Sequence, residues 1–88
     1  MLGTRNHSYT VELYVQVSPV EMFVFARHDN GRQWATWNVT DMNRTGSWAF
    51  YHGHYILNRD EALIDFWLRV RRYCDFKIAY LEDNAKRF

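Results

Sequence analysis

His52 and His54 are the first residues of this 88-residue chain that could do chemistry. On a regular strand, positions i and i+2 share a face, so two imidazoles there can in principle hold a metal. A third ligand would have to come from His7, His28 or a carboxylate, and no C-x-x-C or H-E-x-x-H spacing supplies it. Either histidine can also serve as an acid–base group, although such a pair is more often plain surface. Cys74 is the single cysteine. It closes an apolar helical stripe, where a free cysteine is usually a small buried hydrophobe. Asp60, Glu61 and Asp65 form a carboxylate cluster, but helix capping already accounts for the first two. No G-x-S-x-G and no glycine-rich phosphate loop is present. The expectation is a non-catalytic protein with no metal and no cofactor.

The stronger signal is for contact. Four Trp, six Tyr and six Phe carry more ring surface than a chain of this size, which buries only about 60–70% of its unfolded surface, can hide. The cations are nine Arg and two Lys, and arginine beside exposed rings is the composition of an interface. Net charge is +1, so no strong field draws the chain to nucleic acid or anionic lipid. Arg69, Arg71 and Arg72, with Tyr73, make the main basic concentration. Stacked rings plus these arginines would suit single-stranded nucleic acid; the plainer reading is a helix C-terminus complementing its dipole.

These residues need elements to hold them. Tyr9, Val11, Leu13, Val15 and Val17 alternate with polar residues and predict a half-buried strand over 8–17. Glu21–His28 reads as a second strand, Asp29-Asn30-Gly31 as a tight turn, and Gln33–Thr40 as the returning strand. On it, Trp34, Thr36 and Asn38 share one face, while Ala35, Trp37 and Val39 share the other; spacing leaves open which tryptophan is core. After a polar loop at 41–46, Ser47–Leu57 is strand-like. Trp48, Phe50, His52 and His54 share a face there unless Gly53 bends the strand or splits it into a hairpin.

Asn58, with Glu61 three residues on, caps a helix over about 59–73. Its apolar stripe is Ala62, Leu63, Phe66, Trp67 and Val70, with Asp65–Arg69 an i,i+4 pair on the exposed side. Phe76–Leu81 alternates weakly and predicts a final edge strand, with Cys74 inert in the corner before it. The fold class expected is α+β: an antiparallel sheet of four to six strands with one helix on one face, and the surplus rings exposed on the other. One domain spans 1–88, with 1–7 and 84–88 frayed.

The stretch Tyr55-Ile56-Leu57-Asn58-Arg59-Asp60-Glu61-Ala62-Leu63-Ile64-Asp65-Phe66 resembles the strand-into-capped-helix unit of short bacteriophage accessory proteins. That resemblance implies a stand-alone domain that binds and inhibits a host defence enzyme, such as CRISPR or restriction machinery, in the host cytoplasm. The near-neutral charge argues against an acidic DNA mimic. The expected contact residues are Trp34, Trp37, Trp48, Tyr51, Tyr55, Arg69, Arg71 and Arg72. The partner is a host protein, with single-stranded nucleic acid as the alternative. A homodimer through the same patch is a related expectation. No apolar run is long enough to span a membrane.

Overall fold

A computed structural model describes residues 1–86. Strands β1 (Arg5–Asn6), β2 (Tyr9–Ser18), β3 (Glu21–His28), β4 (Trp34–Thr40) and β5 (Ala49–Ile56) precede one helix, α1 (Arg59–Ala85). The strands lie in chain order and every neighbouring pair is antiparallel. The helix packs on one sheet face, as the α+β reading expects. At the β3–β4 turn Gly31 takes φ +70 and the Asn30 side chain accepts from the Arg32 N–H at 2.8 Å. Gly31 thus supplies the one positive φ of this turn, and Asn30 contributes an Asx hydrogen bond in place of the second positive φ of a type I′ turn. β1 corrects the expectation of a frayed start: it pairs with β2, and Arg5 forks onto both carboxylate oxygens of Asp29 at 2.9 and 2.7 Å.

Two irregularities decide which side chains meet. In β2 the register shifts between Val11 and Leu13, so Glu12 is an extra residue and the apolar row changes face. Tyr9 and Val11 join Met22, Val24, Ala26, Ala35, Trp37 and Val39 on the side away from the helix. Leu13, Val15 and Val17 join Phe23, Phe25, Ala62 and Phe66 beneath it. One alternating segment thus serves two cores. In β5 the register shifts opposite Trp37, between the partners of Thr36 and Asn38, and His52 takes φ 54. Phe50 therefore packs away from the helix while His54 reaches a helix side chain, so the two do not share a face. β5 is one bulged strand and not a hairpin.

The helix-free face is not an open platform. Strands β2 and β5 are three ladder spacings apart, about 14 Å in a flat sheet, yet the Tyr9 and Tyr55 ring centroids are 5.9 Å apart. The sheet is rolled around Trp37, which meets Tyr9, Phe50 and Tyr55 edge-on at 5.3, 5.5 and 5.9 Å. Gly53 makes room for that indole: a Cβ there would lie 2.6 Å from Trp37 Nε1. The expectation that this face exposes the surplus rings holds only in part: curling buries Tyr9 and Trp37, while Tyr14 and Tyr55 stay exposed there.

Asn58 caps α1 as expected, its side chain accepting from the Glu61 N–H at 2.9 Å. The helix then runs past Tyr73 to Ala85, so 76–81 is helical and not a strand. No Gly or Pro interrupts 73–85, and reversing direction there would need turn chemistry the segment lacks. The frayed end expected over 84–88 is corrected where it is described, since residues 84 and 85 are helical and the Lys86 N–H reaches the Glu82 carbonyl at 3.2 Å, while 87 and 88 lie outside the described residues. Cys74 is exposed on the helix and not shielded in a corner. Arg69, Arg71 and Arg72 sit mid-helix, so they do not complement a C-terminal dipole. At 27 residues the helix is about 40 Å long, and its second half overhangs the sheet. The radius of gyration, 14.7 Å, exceeds the about 12 Å of a compact domain this size for that reason.

Phe66→Ala should cost about 3–5 kcal/mol, the usual loss for a fully buried ring, whereas Phe76→Ala should stay within about 0.5 kcal/mol. Urea unfolding of the two variants checks this; comparable losses would mean that Phe76 docks on the sheet.

Candidate functional site

The inward face of α1 carries two polar positions, Asp65 and Arg69, among its apolar ones. Arg69 follows Phe66 by three residues and precedes Tyr73 by four, which places it over the sheet, and it is only 8% exposed. Its partner residues on the sheet come from β4 and the β5 bulge. Arg69 Nη1 donates to Asn38 Oδ1 at 2.6 Å. Nη2 donates to the His52 carbonyl at 2.5 Å and to the Thr36 carbonyl at 3.4 Å. Nε donates to Thr36 Oγ1 at 3.1 Å and to Asp65 Oδ2 at 3.3 Å. The Asp65–Arg69 pair foreseen in the sequence exists, but it faces the sheet and not solvent.

Asp65 completes the cluster. Thr36 Oγ1 donates to its carboxylate in a short hydrogen bond, and His54 Nδ1 lies 3.0 and 3.1 Å from its two oxygens. Burial would raise the Asp65 pKa, but the hydrogen bonds from Thr36, His54 and Arg69 outweigh it and hold it below the ordinary carboxylate value. For Nδ1 to donate, it must carry the proton, which leaves Nε2 as the outer nitrogen. Beside the cluster runs an open groove of about 350 Å³, lined by Glu21, Phe23, His52, His54, Arg72 and Phe76 among others.

This arrangement can orient an imidazole, and the arginine and carboxylate on the groove wall can bind polar groups. It holds no evident nucleophile: the Thr36 hydroxyl is buried and engaged by Asp65, and Cys74 lies on another flank of α1. No group of three or more His, Cys, Asp or Glu that could hold a metal occurs among the described residues. The β5 bulge takes His52 and His54 out of regular i,i+2 pairing, although both border the groove.

The expected contact residues are dispersed. Trp37 and Arg69 are buried and are not surface. Trp34 is partly buried beneath the helix, and Trp48 packs on the rolled core. Tyr51 and Tyr55 are exposed, Tyr55 against the Trp37 rings and Tyr51 opposite Asn38 on the helix side. Arg71 and Arg72 are exposed on different flanks of α1. Trp67, expected in the stripe that docks on the sheet, is half exposed, and sequence reasoning missed the exposed apolar surface of the helix itself: Ile64, Ile78 and Leu81 with Trp67 on one flank, and Phe76 and Tyr80 on the sheet side. Reading the 3–4 spacing of apolar residues past Tyr73 would have found it. Among the described residues, no helix is long and apolar enough to cross a membrane. No family model, curated protein or solved structure matches the chain.

Arg69→Ala should destabilise by about 3–5 kcal/mol, because it strips Asp65 of its guanidinium and leaves the acceptors at Thr36, Asn38 and His52 without their donor; Arg71→Ala and Arg72→Ala should stay within about 0.5 kcal/mol. Denaturant unfolding separates them, and equal costs would dissolve the distinction. The depressed Asp65 pKa stabilises the fold above the unfolded value, about 3.9, and that contribution is lost as pH falls through the folded value. The stability gap between the native protein and Asp65→Asn should therefore narrow on acidification below about pH 4; a gap independent of pH would contradict it.

Proposed function

We propose that the protein is a non-catalytic domain that binds another protein through the sheet-side row of the overhanging half of α1 and the groove beside it. The observation that carries this reading is Phe76, 70% exposed. It and Tyr80 continue, at helical spacing, the row Ala62, Phe66, Arg69 and Tyr73 that docks on the sheet. Helices in proteins draw most of their stability from packing an apolar face, so an inward row that outruns its own sheet fits a surface supplied by a partner. Tyr73 begins the exposed run, edge-on to Phe23 at 6.0 Å. Arg72 on the groove wall adds a fork for a partner carboxylate.

The nucleic-acid alternative is less well supported, because Arg69 is spent inside the fold and Arg71 and Arg72 diverge by about 100° around the helix. Following the resemblance at Tyr55–Phe66, the partner class we propose is a host defence enzyme, with this chain as its inhibitor. The test is capture from host lysate by the native protein and by Phe76→Glu/Tyr80→Glu. The native protein should retain one stable protein partner, and the double variant, folded equally well by thermal unfolding, should retain at least tenfold less. No retained partner, equal retention by the variant, or retention of nucleic acid alone would overturn the reading.

A further inference from the structure

A second row on α1 points elsewhere. Ile64, Trp67, Arg71, Cys74, Ile78, Leu81 and Ala85 alternate spacings of three and four over three heptads, the a and d pattern of a coiled coil. Ile64, Trp67, Ile78 and Leu81 are each more than half exposed. At 100° per residue this row lies about 130° around the helix from the row that docks on the sheet, so the sheet does not obstruct it. We infer that this flank is a homotypic seam, through which two copies of the chain pair as a parallel two-stranded coiled coil, independently of the contact proposed above.

Three observations select a second copy in parallel. Two of the three flanking pairs are complementary in that orientation, where a g position meets the partner's e position five residues on. Lys77 then faces Glu82 of the second copy and Leu63 faces Leu68, while Val70, partly buried against its own sheet, sets no like charge against Asp75. An antiparallel pair would instead set e against e, bringing the acidic Asp75 and Glu82 positions of the two chains together. Next, Leu63, Ile64, Trp67, Leu68 and Arg71 already line an apolar groove, the hole into which a facing helix seats its knobs. Last, the size fits. The seam is about 30 Å long, and two such strips buried together approach the lower end of specific interfaces, about 1,200 Å² in total. Arg71, the one charged a position, costs stability but favours a defined register, as single polar a residues do.

The d layer at Cys74 makes the arrangement testable. In a parallel pair the two Cys74 residues face each other across the dyad, within disulfide reach. Light scattering coupled to gel filtration should give twice the 10.7 kDa chain mass. Mild oxidation should cross-link the pair on a non-reducing gel, and Cys74→Ser should abolish the cross-link. Ile78→Glu/Leu81→Glu lies on the overhang, clear of the core, and should give a folded monomer, whereas Phe76→Glu/Tyr80→Glu should leave the dimer intact. A native monomer at high micromolar concentration would overturn the inference. So would a dimer that fails to cross-link at Cys74, one that survives Ile78→Glu/Leu81→Glu, or one lost in Phe76→Glu/Tyr80→Glu.

Discussion

A guanidinium enters a protein interior only if its donors are met, and Arg69 imposes that condition on three elements at once. α1 supplies Asp65 one turn away, β4 supplies Thr36 and Asn38, and β5 supplies a carbonyl at His52. The bulge that departs from regular pairing at His52 delivers this acceptor. The same irregularity sets Gly53 against Trp37, so it serves both sides of the sheet. Apolar packing alone would let the helix slide or roll over Phe23 and Phe25 at modest cost. The directional contacts of Arg69 and Asp65 fix its rotation, and that rotation decides which rows of the helix face outward.

The strands and the helix start were legible because they rest on local rules. Alternation marked β2 to β5 to within a residue or two, Asn-Gly marked the turn, and Asn58 with Glu61 marked the cap. What was not legible depended on partners distant in sequence. A bulge at Glu12 leaves the alternation of β2 untouched while reversing which face each half presents. The end of α1 was misplaced because Phe76, Ile78 and Tyr80 alternate as a strand would, and nothing local reveals that no sheet edge receives them. Arg69 looked like Arg71 and Arg72; only its position between Phe66 and Tyr73 on the apolar stripe distinguished it.

The ring excess divides into two populations with different physical roles. Tyr9, Trp37, Phe50 and Tyr55 make the edge-on cluster that lets a single sheet curl over its own side chains, substituting for a second covering layer. That device suits a chain too short to build two layers on both faces. The rings and aliphatics on the outer and overhanging parts of α1 have no such internal use. The surface richest in apolar residues is therefore a helix, although the sequence placed it on the sheet.

The chain-order sheet also governs how the molecule is reached from the unfolded chain. Each strand pairs with its sequence neighbour across a short connection, so no ladder waits on closure of a long loop, and the sheet zips through local steps of low entropic cost. Docking α1 is different in kind: Arg69 and Asp65 must shed water before their partners on β4 and β5 receive them. Strand register is thus set between sequence neighbours, whereas the seat of the helix is set by contacts that span 17 to 33 residues of chain.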